Sequence, residues 1–202
     1  MIAAVLLAAG EGSRMKELKQ TLPWKEGFNL AQASLEIILA CKEIEGPIRV
    51  VIGAKADQVQ KNFEKYSDSR LEIRRNQEYK KGMISSIKTG LESLPGEVEG
   101  FFIALADQPL ISPGTFRELT RVFREGKHKI IVPVYRGNRG HPVFLSSNFV
   151  AEILEMPDSP GGLRPLLKRY QDQVLWKDVK DPGVTIDLDY PEDYFHYRRE
   201  GK

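Results

Sequence analysis

The chain has 202 residues, with 30 Lys and Arg against 28 Asp and Glu and one Cys. That length holds one sizeable α/β core or at most two small ones. The net charge of +2 leaves no basic excess for coating a nucleic-acid backbone. Cys41, standing alone, excludes an intramolecular disulfide and a multi-cysteine zinc site. No apolar run approaches the ~20 residues of a membrane helix, and residues 2–9 lack the basic flank of a signal peptide. The expectation is a soluble cytoplasmic protein with no nucleic-acid or membrane partner.

In chain order, uniformly apolar runs at 3–8, 48–52, 101–106, 130–134 and 142–145, and a shorter one at 184–186, predict strands buried on both faces. Helical spacing appears between them. Leu30, Ser34, Ile37, Ile38 and Cys41 form one face, Val59, Phe63 and Tyr66 a second, and Met83, Ile87, Leu91 and Leu94 a third. Ser112-Pro113 predicts a capped helix start ahead of Phe116, Leu119 and Phe123. Phe149, Ile153 and Leu154 suggest a short helix, and Pro191-Glu192-Asp193 opens the last one with acidic residues at its start. Residues 136–142, carrying Gly137, Gly140 and Pro142, read as a loop or hairpin. Strand–helix alternation over the first 125 residues predicts a three-layer α/β domain with a mostly parallel sheet. With no linker or repeat, residues 1–202 are expected to form one domain.

Three places carry candidate chemistry. After the first strand, Gly10 and Gly12 let the backbone turn N–H groups toward an anion, and Arg14 and Lys19 add fixed positive charge. Neither the P-loop spacing nor a dinucleotide fingerprint is present, since position 15 is Met15. The plainer alternative is a glycine turn with solvated charges. Asp107 follows a buried apolar run, where α/β sheets bind ligands, and is a hard oxygen ligand suited to Mg²⁺; it also suits a capping role before Pro109. Asp187 and Asp189 would share one face if their segment is a strand. Asp189 is equally suited to capping the last helix.

These segments come in a fixed order: Leu7-Ala8-Ala9-Gly10-x-Gly12-x-Arg14-Met15 with Lys19, then Asn76 with Gly82-Met83 and Ser86. Leu105-Ala106-Asp107-Gln108-Pro109, Gly140-His141-Pro142 and Asp187-x-Asp189-x-Pro191-Glu192-Asp193 follow. The ordered set resembles the nucleotidyltransferases that complete molybdenum cofactor, in particular the molybdenum cofactor cytidylyltransferase-like branch, over residues 1–194. The resemblance implies a Rossmann-like, GT-A-like fold and Mg²⁺-dependent (or Mn²⁺-dependent) transfer of a nucleoside monophosphate from an NTP to a phosphate acceptor. On that pattern Leu7, Ala8, Ala9, Gly10 and Gly12 line the base and triphosphate, and Arg14 and Lys19 hold phosphate oxygens. Asn76, Gly82 and Ser86 lie toward the nucleoside. Asp107 holds the metal, with Asp187 or Asp189 completing its shell. Gly140, His141 and Arg164 face the acceptor, molybdopterin or molybdenum cofactor, with a molybdenum hydroxylase as a further implied partner.

His141 has an alternative as a turn residue bonded to backbone, and Arg164 as a helix-end charge. Ala9 stands where the related guanylyltransferases carry Gly. Its methyl takes space a purine needs, so CTP is the expected donor. Two other functions remain open on the residues: NTP transfer to a sugar or polyol phosphate, and non-catalytic carriage of molybdenum cofactor.

Overall fold

The computed structural model describes residues 1–12, 15, 17–25, 27–159 and 161–199. In chain order its elements are β1 (Ile2–Ala8), α1 (Leu30–Leu39), β2 (Ile48–Ile52), α2 (Ala56–Gln60), β3 (Leu71–Arg75), α3 (Met83–Leu91), β4 (Gly100–Leu105) and α4 (Pro113–Arg124). There follow β5 (Ile130–Tyr135), β6 (Asn138–Arg139), β7 (Val143–Ser146), α5 (Val150–Glu155), α6 (Arg164–Arg169), β8 (Val174–Asp178) and α7 (Pro191–Arg199).

The apolar strands have two faces and need cover on both. Ile2, Ala4, Leu6 and Ala8 of β1 join Val50, Phe102, Ile131 and Phe144 in one core, under α1, α2 and α4. Ala3 and Val5 join Phe101, Ile103, Val132 and Val143 in the other, under α3, α5 and α6. The result is the expected three-layer α/β fold. Its mixed sheet runs β3-β2-β1-β4-β7-β5-β6, with β8 also paired to β5. β3, β2, β1 and β4 are parallel, as are β5 and β8; β7 enters antiparallel between β4 and β5. The chain runs outward from β1 through β2 to β3 and then returns to β4 on the other side of β1. That reversal opens a crevice at the carboxyl ends of β1 and β4.

Local chemistry fixes the helices beside this crevice. Asn29 and Gln32 form a reciprocal capping box that starts α1, and the Ser112 hydroxyl accepts from Gly114 N–H at the start of α4. Arg49, buried on β2, donates to the carbonyls of Gly90, Glu92 and Ser93 at the end of α3. A guanidinium there satisfies carbonyls that the helix leaves open, and it ties α3 to the sheet.

Five of the six expected runs are strands, β6 makes the 136–142 segment a hairpin, and the sixth run is not a strand. Residues 182–185 form a 3₁₀ turn (Pro182–Thr185) instead. Pro182 has no N–H to give a ladder, and the Asp181 carboxylate caps the turn by accepting from Gly183 N–H at 2.9 Å. The two strands that the apolar criterion misses, β3 and β8, lie at edges of the sheet. They carry charges, Glu72, Arg74 and Arg75 in one and Lys177 and Asp178 in the other, as edge strands commonly do.

Candidate active site

Leu7 of β1 pairs with Leu105 of β4, so the two strands leave the sheet side by side. The loop after β1 is pinned from three directions. Ala9 O accepts from Ala54 N–H, Leu7 O from Ala106 N–H, and the Gln20 amide donates to Ala8 O and Gly10 O at 3.1 and 2.7 Å. Gly12 has φ +65°, and a methyl there would stand 2.6 Å from Glu17 O. Only glycine lets the loop fold back this tightly. The return carries Lys19, buried in a short 3₁₀ turn (Lys19–Thr21), to the end of β4.

There the Lys19 ammonium donates to Asp107 Oδ2 and to Asp189 Oδ1, each at 2.6 Å. Burial works against its charge, but the Asp107 charge and the hydrogen bonds to both carboxylates outweigh that, and the Lys19 pKa is raised. Asp189 therefore faces the site. Asp187 turns elsewhere: its Oδ1 accepts from the Gln108 amide at 2.8 Å. Desolvation of its carboxyl, then the charges of Asp107 and Asp189, push Asp187 up to about 6. The expectation that these two aspartates share a strand face is corrected, because residues 186–189 are not in a strand.

Among the described residues no group of three His, Cys, Asp or Glu forms a metal cluster. Two carboxylates converging on one cationic nitrogen still suit Mg²⁺ or Mn²⁺. Such ions commonly take one or two carboxylates and draw their remaining ligands from phosphates and water.

A cavity of about 420 Å³ opens at this cluster, with Lys19, Asp107 and Asp189 among its lining residues. Leu7, Ala9, Gly10 and Gly12 contribute to its wall from the first loop, and Gly82 and Ser86 from the start of α3. Ala8 stands behind that wall, its carbonyl held by Gln20. Asn76 is buried behind α3. Its amide donates to Ser85 and Ser86 Oγ at 2.8 and 3.0 Å, and its Oδ1 accepts from Glu78 N–H. It thus orients Ser86 from the second layer. Arg14 lies outside the described residues.

A second cavity, of about 700 Å³, lies on the other side of Met83, which lines both. Gly140, His141 and Arg164 all border it. A methyl on Gly140 would stand 2.1 Å from Val184 O, so glycine here lets the 3₁₀ turn close on the hairpin. His141 N–H donates to Val184 O, and its peptide bond to Pro142 is cis. Burial pushes the imidazole down to about 4 against the pull of Asp107, leaving it neutral at pH 7. Sequence reasoning did not find Gln20, which sets the loop, or Arg139, Lys168 and Trp176, which border the second cavity. Gln20 adjoins Lys19 and offers a local signal; the others meet only through sheet register.

The family described as MobA-like NTP transferase domain matches residues 4–174. The chain belongs to that family. It is a nucleotidyltransferase, and the molybdenum cofactor resemblance falls within the same family. It is 24% identical over 193 residues to molybdenum cofactor cytidylyltransferase of Escherichia coli (strain K12), across 96% of this chain and 93% of that protein. It is also 27% identical over 209 residues to purine catabolism protein PucB of Bacillus subtilis (strain 168), across 98% and 96%. The structure of Rv0371c from Mycobacterium tuberculosis H37Rv, in complex with manganese, superposes with TM-score 0.72 at 22% identity, covering 100% of this chain and 99% of that one. No helix among the described residues is long and apolar enough to cross a membrane.

Proposed function

We propose that this MobA-like nucleotidyltransferase transfers CMP from CTP to the phosphate of molybdopterin or molybdenum cofactor and releases pyrophosphate. The observation that carries the reading is the Lys19–Asp107–Asp189 cluster, set in the wall of a cavity of about 420 Å³ with a second cavity adjoining it at Met83. The molybdenum cofactor cytidylyltransferase among the relatives supports the choice of donor and acceptor.

An oxygen of the acceptor phosphate attacks the α-phosphorus of the NTP, and the bond to the β-phosphate breaks. The attacking group is already anionic at neutral pH, so no general base is needed. The obstacle is repulsion between anions, which alignment and charge screening lower. Lys19 supplies one positive charge and Arg14 a second, with N–H groups of the loop at Gly10 and Gly12 holding the leaving pyrophosphate. Asp107 and Asp189 would hold Mg²⁺ or Mn²⁺, which screens the phosphates when bound. Gly140, His141 and Arg164 would contact the acceptor. The protein is proposed to act in the cytoplasm as one domain, handing its product to a molybdenum hydroxylase.

The test is pyrophosphate release with molybdenum cofactor as acceptor, each NTP in turn, and a panel of sugar and polyol phosphates beside it. Release that requires molybdenum cofactor and favours CTP supports the reading. Release with a sugar or polyol phosphate alone overturns the acceptor.

A further inference from the structure

Arg139, Arg164 and Lys168 all border the second cavity, and no acidic residue among the described residues borders it. None of the three forms an ion pair among the described residues, although most other Arg residues of the chain do. Arg139 is held in a different way. Its guanidinium carbon lies 4.1 Å from the centre of the Trp176 ring.

The sheet register explains the contact. Val134 of β5 pairs with Arg139 of β6, and Val132 of β5 pairs with Trp176 of β8. Partners in register share a face, and so do residues two apart along a strand. Arg139 and Trp176 therefore rise on the same side of β5 and meet across it. An arginine stacked on an indole keeps its planar fork of N–H donors in a fixed orientation, with the donors at its edge free for an anion. The cavity floor is of another kind: Ile87, Ile103, Val132, Val143, Leu163 and Leu167 are all aliphatic.

We infer that Arg139, positioned by Trp176, is a specificity-determining contact for the acceptor, which it selects as a flat, apolar-faced molecule carrying an anionic edge separate from the attacking phosphate. The inference rests on the proposal that this cavity takes the acceptor. A polyol phosphate fits the wall poorly, because its hydroxyls would lose water against an aliphatic floor with few hydrogen-bonding partners. A flat ring meets the same floor without that cost, and its anionic edge reaches the unpaired cations. His141, neutral beside them, is left to hydrogen-bond.

Two measurements separate this inference from the reading beneath it. The first is calorimetric binding of pterin-6-carboxylate, a flat ring with one anionic edge, against glycerol 3-phosphate, an anion without a ring. The wild-type protein should favour the ring compound. Arg139→Ala should weaken that binding about tenfold or more, the effect of losing a charge-assisted contact. Trp176→Ala should weaken it about fivefold by freeing the arginine, and Trp176→Phe should recover most of the loss. Arg139→Lys should not recover it, because a point charge lacks the planar fork.

The second measurement is turnover with molybdenum cofactor, where Arg139→Ala should raise the acceptor KM with kcat and the CTP KM unchanged. Ring binding that depends on Arg139, without turnover of molybdenum cofactor, would uphold the inference and overturn the proposed acceptor. Turnover with an acceptor KM indifferent to Arg139 and Trp176 would overturn the inference and leave the proposed function standing. Equal binding of the two probes would also overturn it.

Discussion

The two cavities meet at Met83 but handle charge in opposite ways. In the first, Lys19 is already satisfied by Asp107 and Asp189, at 2.6 Å from each. In the second, Arg139, Arg164 and Lys168 have no carboxylate partner among the described residues, and aliphatic side chains make the floor. A site whose charges are paired internally must exchange those pairs when a highly charged ligand and its metal arrive. A site with unpaired cations needs no such exchange and offers its charge at once. The difference suits the two tasks proposed for the cavities, organising a triphosphate for bond breaking and holding an acceptor that is not itself broken apart.

The most severe way to break the comparison is to remove the centre of the paired cluster. Asp107→Ala should lower turnover at least ~100-fold, the scale of losing a principal stabiliser of transition-state charge. The fold should survive, because Asp107 lies beyond the end of β4 and Leu188 N–H bonds to its backbone carbonyl, not its side chain. Pyrophosphate release measured alongside thermal unfolding checks both parts. Near-normal release would reduce Asp107 to a turn residue.

A second test sharpens the comparison from the acceptor side. In the folded protein His141 takes a proton only near pH 4, whereas an ordinary histidine does so near 6.5. Between those values the unfolded chain binds more protons, so stability falls as pH drops from 6.5 toward 4. His141→Gln should abolish this part of the pH dependence, a relative gain of roughly 2–3 kcal/mol at pH 4 compared with pH 7. Urea unfolding of both proteins across that range measures it. Parallel stability curves would show that His141 titrates normally.

Within the paired cluster, the two late aspartates should separate. Asp189→Ala removes a carboxylate from Lys19 and should lower turnover about tenfold or more. Asp187→Ala loses a hydrogen bond to the Gln108 amide and a carboxyl that Asp107 and Asp189 repel, and should cost a few-fold. Steady-state kinetics across a Mg²⁺ titration distinguish them. The reverse order would place Asp187 nearer the metal than Lys19's contacts indicate.

How far this arrangement could be read from sequence depended on whether the signal was local. β1, β2, β4, β5 and β7 were legible because strands covered on both faces are apolar throughout. β3 and β8 were not, since an edge strand mixes charge with its apolar residues and breaks that pattern. Asp107 was legible from the apolar run just before it, and Lys19 from its spacing after Gly10 and Gly12. The difference between Asp187 and Asp189 was hidden because residues 184–186 look like a strand until Asp181 and Pro182 are seen to cap a 3₁₀ turn. Arg139 and Trp176 were hidden more deeply. They stand 37 positions apart in the chain and meet only because β6 and β8 both pair with β5.

The smallest expected effect concerns the wall of the first cavity at Ala9. Ala9 is buried there, and its backbone lies so close to Gly53 that a methyl on Gly53 would stand 2.9 Å from Ala9 Cβ. With Gly53 packed against it, the loop has little room to retreat from a larger base. If the Ala9 methyl excludes a purine, CTP should exceed GTP in kcat/KM by roughly ten- to a hundredfold, the usual cost of overpacking. Ala9→Gly should then narrow that ratio about threefold to tenfold by raising GTP use rather than by lowering CTP use. Pyrophosphate release with each nucleotide, for both proteins, measures the change. GTP outperforming CTP in the wild type would overturn the donor assignment, and an unchanged ratio in Ala9→Gly would move base selection away from this loop.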